Sequence, residues 1–253
     1  MENPVIEVQN LAAGYDGRPI LRDVSFTVRR GEIFVVLGGS GCGKSTLLKH
    51  IIGLHPLLGG EVRIMGCRVE GGGQDERDRA IRAFGVTYQS GALFGSMTLL
   101  ENICLPLEVF TDLPPDARRL VAEMKLELVG LKPFAGYFPA DVSGGMKKRA
   151  AIARALALDP AVLFLDEPSA GLDPVTAADL DRLILRLRDT HGITFMIVTH
   201  ELASIFAIAD RCIMLDAKAQ GVIAEGSPAA LRDTSDNPAV RAFFNPRACQ
   251  TKN

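Results

Sequence analysis

No run of about 18 apolar residues in this 253-residue sequence is free of charge, which is the length a helix needs to cross a bilayer. The most apolar region, "GITFMIVTHELASIFAIADRCIML", is broken by His200, Glu201, Asp210 and Arg211. The opening "MENPVIEVQN" carries two acids and lacks the basic and apolar blocks of a secretory signal. An excess of one charge is also missing. With 28 Lys and Arg against 30 Asp and Glu, the net charge is −2, so no basic field points to nucleic acid as a partner. The five cysteines, Cys42, Cys67, Cys104, Cys212 and Cys249, are odd in number, scattered and without metal-ligand spacing. That usage predicts free thiols in a reducing compartment. No internal repeat is visible.

What is present is a globular composition, 47% hydrophobic and 23% charged, with enough length for a proper core. "VIEVQNL" and "DVSFTVRRGE" alternate as short strands do. "IFVVLG" is a continuous apolar run, the pattern of a strand buried on both faces. "KSTLLKHIIGL" has helical periodicity, and "GGEVRIMG" reads as a strand between glycines. "EGGGQDERDR" predicts a polar surface loop. Beyond "FGVTYQ" the pattern changes to two helical stretches, "LLENICLPLEVF" and "DARRLVAEMKLELVGL", with prolines between them. Helix "MKKRAAIARALAL", strand "AVLFLD", helix "VTAADLDRLILRLRD", strand "ITFMIVTH" and a hairpin of "RCIMLD" and "GVIAEG" follow. Buried strands alternating with helices predict an α/β fold with a mainly parallel sheet. The residues from about Arg247 predict a short, polar, frayed tail.

The segment "GGSGCGKST" fits the P-loop pattern, and it stands where that pattern requires, after a buried strand and before a helix. Gly38, Gly39, Ser40, Gly41, Cys42 and Gly43 would wrap main-chain N–H groups around a phosphate at the positive end of the helix. Lys44 would neutralise the outer phosphates, and Ser45, followed by Thr46, offers a hydroxyl to Mg²⁺. Lys44 and the helix start would also lower the pKa of the Cys42 thiol, although a small residue that simply fits the loop is the preferred reading of its role. "AVLFLDEP" puts Asp166 and Glu167 at the end of a buried strand, where open α/β sheets bind ligands. Asp166 suits Mg²⁺, and Glu167 suits orienting or deprotonating an attacking water. "VTH" closes the next strand in the same way, which brings His200 to the phosphate edge.

One stretch, "SGGMKKR", has two readings. Ser143 with Gly144 and Gly145 is a good helix cap, and a helix start is also an anion site. Taken together, "GGSGCGKST", "SGGMKKR", "LFLDEP", "SAGLD" and "VTH" resemble the nucleotide-binding subunits of ABC transporters, from about Val5 to Phe244. The resemblance implies one P-loop NTPase domain over residues 4–246. Its RecA-like core and antiparallel β part would occupy 4–95 and 140–246, its helical subdomain 96–139 and the start of the signature helix, and its tail 247–253. It implies ATP and Mg²⁺ as cofactors, with Ser45, Gln89 and Asp166 around the metal. Gln89 would be the Q-loop glutamine, His200 the switch histidine, Tyr15 the adenine-stacking aromatic and Asp173 a D-loop residue. Ser143, Gly144 and Gly145 would act on ATP held by a second copy of the chain in a homodimer. Val142 and Met146 replace the Leu and Gln of the usual signature.

The string "QSGALFGSMTLLENICLPL" and Met146 resemble the ATPases of MCE-type lipid transporters more narrowly, although Leu172 stands where some members carry Gln. That implies phospholipid movement between inner and outer membranes. The partners would be a permease, a periplasmic MCE protein and a small STAS-type regulator, with the ATPase on the cytoplasmic face of the inner membrane. Leu93, Phe94, Met97, Leu99 and Leu100 form either the helical part's own core or a groove for a permease helix. A soluble ABC protein would usually pair two ATPase modules or carry a long coiled coil. A P-loop kinase would explain the phosphate loop but not the later motifs in order.

Overall fold

The computed structural model describes residues 4–245. Two sheets divide the work. Strands β1 (Ile6–Tyr15), β2 (Arg18–Val28), β4 (Gly59–Ile64) and β5 (Cys67–Arg68) form an antiparallel sheet in the order β2-β1-β4-β5. The second sheet has the order β10-β9-β3-β8-β7-β6. Its strands are β3 (Ile33–Gly38), β6 (Phe84–Thr87), β7 (Val162–Asp166), β8 (Thr194–Val198), β9 (Arg211–Asp216) and β10 (Gly221–Gly226). All neighbours in it are parallel except the β9–β10 hairpin at the edge.

Every residue of β3, β7 and β8 is buried. Because side chains alternate along a strand, each strand feeds two cores. Ile33, Val35, Leu37, Leu163, Leu165, Phe195 and Ile197 join a cluster shared with the helices on one face. Phe34, Val36, Phe164, Met196 and Val198 join the other, with α1 (Lys44–Ile51) and the antiparallel sheet. This two-sided burial is why the runs read as continuous apolar blocks.

One local prediction fails. The second half of the segment read as a polar loop belongs to helix α2 (Gln74–Arg82). Only Ala80 of it is buried, so no apolar period reveals it. Its stabilising features are electrostatic: Asp75 and Glu76 in the first turn, Arg79 and Arg82 in the last. The helical stretches appear as α3 (Leu99–Phe110) and α4 (Pro115–Leu128). A capping box between Thr98 and Glu101 starts α3. Pro106 lies inside α3 and does not end it. Helices α5 (Gly144–Ala155), α6 (Pro174–His191) and α7 (Leu202–Ile208) follow. Beyond the hairpin, α8 (Pro228–Thr234) carries Leu231 and α9 (Pro238–Phe244) carries Val240 and Phe244 into the core. The predicted tail lies outside the described residues.

Helix α5 packs so closely on α6 that a Cβ at Gly145 would collide with Thr176 Cγ2. Thr176 is not free to turn, because its hydroxyl donates to Asp173. Gly145→Ala should therefore destabilise the chain by about 1–3 kcal/mol, as overpacking does. Thr176→Ser removes the colliding methyl and should restore most of that loss. Urea unfolding of the two variants and the double variant measures both effects; an unchanged midpoint for Gly145→Ala contradicts the packing argument.

Candidate nucleotide site

The site is built from the C-terminal ends of adjacent parallel strands. The order β3-β8-β7-β6 sets Gly38, His200, Asp166 with Glu167, and Gln89 along one sheet edge. All but Asp166 border a cleft of about 760 Å³, whose walls include Gly38–Gly41 and Gly43–Thr46 of the phosphate loop, Gln89, Glu167 and His200. A neighbouring open recess of about 570 Å³ contains Asp166, Lys49, Tyr88 and the backbone turn at Ala170–Gly171. Gln89 borders both.

Lys44 is buried, and its ammonium donates to the carbonyls of Gly38 and Gly39 at 2.9 Å each. Ser45 Oγ donates to Asp166 Oδ1 at 3.2 Å. Burial raises the Asp166 carboxyl above the usual aspartate value. The Ser45 bond and the lysines oppose that rise, and the neighbouring Glu167 adds to it. Glu167 sits at φ 47°, a left-handed value uncommon outside glycine, and its N–H donates to the Val198 carbonyl at 2.8 Å. Its Oε1 pairs with His200 Nδ1 at 2.8 Å, whereas its buried Oε2 has no partner among the described residues. A hydroxyl, a carboxylate and an amide oxygen gathered here are hard donors that fit Mg²⁺. The orphaned Oε2 fits a water.

Three groups of predicted site residues do not line this cleft. Tyr15 is not among its lining residues; the ring packs edge-on against His55, with centroids 5.1 Å apart, and Ile20 lines the cleft instead. Asp173 spends its carboxylate on capping α6, accepting from Val175 N and Thr176 N at 3.0 Å. Ser143, Gly144 and Gly145 line neither recess of their own chain; Ser143 caps α5 by accepting from Met146 N at 3.2 Å. The apolar residues after Gln89 also divide. Leu99 is fully buried, Leu93 and Leu100 pack partly against the core, and Phe94 is 50% exposed. Buried Asn102 holds that loop, bonding Phe94 through both its N–H and its carbonyl.

Comparison with known proteins agrees with this geometry. The ABC transporter family model matches residues 21–170, more than half of the chain. The chain belongs to the ABC transporter family. The cassette is 40% identical over 242 residues to the Mycobacterium tuberculosis protein called "Probable ribonucleotide transport ATP-binding protein mkl", covering 96% of this chain and 67% of that one. It is 36% identical over 242 residues to the Escherichia coli K12 intermembrane phospholipid transport ATP-binding protein MlaF, covering 95% and 88%. Among solved structures, the ATP-binding cassette MJ0796, dimeric and bound to ADP and Pi, superposes with TM-score 0.78 at 30% identity, covering 88% of this chain and 98% of that one. The cassette is thus an ABC-type ATPase.

Sequence reasoning missed Ile20, Phe243 and Lys148. Phe243 comes from α9 and lines the cleft, but nothing in the short "PAVRAFF" marks it. Lys148 donates to the carbonyls of Gln89 and, at 3.3 Å, Glu167. It hides in the basic run "MKKR", yet helix phase marks it, since Gly145 and Ile152 on the same side are buried.

The lowered Cys42 pKa is overturned. The side chain is 3% exposed, and burial raises the thiol pKa above the usual value despite nearby Lys44. In the folded, nucleotide-free cassette, iodoacetamide at pH 8 should label Cys42 far more slowly than half-buried Cys67. Mass mapping of a time course checks this; faster labelling of Cys42 would restore the activated-thiol reading.

Proposed function

We propose that this cassette hydrolyses ATP to drive phospholipid transport between two membranes, as the ATPase of an MCE-type complex. The observation that carries the substrate is the likeness to MlaF, which extends over 95% of this chain. In this reading ATP lies along the phosphate loop, and its phosphates take Lys44 from the Gly38 and Gly39 carbonyls. Ser45, Asp166 and Gln89 hold Mg²⁺. When bound, the ion supplies positive charge against the phosphate oxygens. Glu167 orients the attacking water through Oε2 and accepts its proton. His200 holds Glu167 through Oε1 and faces the cleft. Ser143, Gly144 and Gly145 serve the site of a second copy. That assignment fits their position outside both recesses of their own chain.

The membrane partners follow the same reading: a permease, a periplasmic MCE protein and a STAS-type regulator, with this subunit peripheral on the cytoplasmic side of the inner membrane. No described helix is long and apolar enough to cross a membrane. A second reading, transport of another solute, is favoured by the name of the mycobacterial relative, which specifies ribonucleotides.

Three experiments test these proposals. In complex with its membrane subunits, Glu167→Gln should bind ATP yet lose turnover by about 10²-fold or more, as loss of a general base does. Purified complex should move labelled phospholipid between vesicles carrying the inner and outer components, with ATP and not with Glu167→Gln. Near-normal turnover removes Glu167 from the role, while ATP-driven uptake of a ribonucleotide without lipid transfer selects the second reading. For docking, Phe94→Glu should fold and bind ATP normally but fail to co-purify with the permease, whereas Leu99→Glu should unfold the chain. Intact co-purification of Phe94→Glu moves the contact elsewhere.

A further inference from the structure

Helix α5 holds the main chain of the loop that follows β6 at three carbonyls. Lys148 donates to the Gln89 carbonyl, and Arg154 donates to those of Gly91 at 3.1 Å and Ala92 at 2.7 Å. This stretch needs holding: Gly91 and Ala92 both have positive φ, at 77° and 48°. Lys148 alone also reaches across to the Glu167 carbonyl, at 3.3 Å. Its single ammonium therefore joins peptides from the ends of two different strands, β6 and β7. One peptide belongs to the residue that borders both recesses, the other to the strained residue with the orphaned carboxylate oxygen. Both bonds go to main-chain carbonyls, while the Glu167 and Asp166 carboxylates act on the ammonium only through their charge.

We infer that Lys148 is a positioning residue that sets Gln89 against Glu167 and makes α5, the Q-loop and the catalytic peptide move as one body. The inference rests on the proposed roles of Gln89 and Glu167. It adds a connection between sites: the helix that carries Lys148 begins at Ser143, and Ser143 serves the partner copy's ATP in that reading. A shift of the loop under Phe94 is then transmitted to the chain's own carboxylate and to the partner's phosphate together. Misplacing catalytic groups by about 1 Å costs up to 10²-fold in rate, so such a tie acts on turnover more than on nucleotide binding.

The test replaces Lys148 by Met, which keeps the stem and removes the donors, and by Arg, which keeps donors and charge. Turnover is measured in the assembled complex, and hydrogen exchange in the nucleotide-free chain. Lys148→Met should lower kcat about tenfold or more with KM for Mg-ATP within about threefold. Exchange over residues 88–95 should accelerate, with β3 and α1 unchanged. Lys148→Arg should recover at least about a third of kcat. If Lys148→Met fails to fold, Lys148→Gln takes its place under the same criteria. The inference is overturned by kcat within twofold of the parent, or by lost kcat with unchanged exchange at 88–95. Glu167→Gln run in parallel separates the two failures: if it retains turnover, the reading of the site falls, while the exchange result still decides whether Lys148 holds the loop.

Discussion

Main-chain N–H groups can converge on a phosphate only where the backbone leaves the region that side chains permit. Everything else in this fold is arranged around a loop that does so. Gly38, Gly41 and Gly43 have φ of 150°, 74° and 100°. At Gly38 the demand is also steric: a Cβ would lie 2.5 Å from the Leu215 carbonyl and 2.6 Å from Cys42 Sγ. At Gly43 it would meet the Leu21 side chain at 3.0 Å. The loop is thus pressed by β9 of the parallel sheet on one side and by β2 of the antiparallel sheet on the other. Both sheets are needed to hold it, and Cys42 serves as the small buried residue that fills its interior.

The same edge stores unfavourable features that only a large core can carry. Asp166 is a buried acid whose carboxyl is pushed up by burial, Glu167 occupies a left-handed backbone, and Glu167 Oε2 is buried without a partner among the described residues. The strained backbone and the unpaired polar atom each cost about 1–3 kcal/mol. Two extended clusters, one on each face of the parallel sheet, offset this. Site residues that destabilise the empty protein are expected where interactions are reserved for a ligand.

The sequence was most legible where chemistry and geometry constrain the same residues. Strands buried on both faces leave unbroken apolar runs, and phosphate chemistry dictates the residues at their ends. That is why Gly38–Thr46, Asp166, Glu167 and His200 could be read together. Helix α2 was illegible because its stability comes from charge at its ends and it buries a single alanine. Helices α8 and α9 were illegible because each spans only seven residues, too few for a period to show. Asp173 was identified by position, but nothing in "SAGLD" reveals that its carboxylate is taken by the start of α6. Tyr15 was read as an adenine-stacking aromatic; its edge-on neighbours His50 and His55 are brought to it only by the folded chain.

The two readings of "SGGMKKR" turn out to use different atoms of one helix end. Ser143 Oγ accepts from Met146 N, and Lys147 N returns to the Ser143 carbonyl. The first two N–H groups of α5, on Gly144 and Gly145, have no acceptor within the helix. A cap therefore stabilises the helix without consuming the donors that an anion would need. The glycine at 145 answers to a further constraint, since the wall behind it is Thr176 of α6. Thr176 is fixed by Asp173, so the loop before α6 sets how closely α6 backs the start of α5. One short motif is in this way shaped from behind by its own chain, while its front remains available to a ligand.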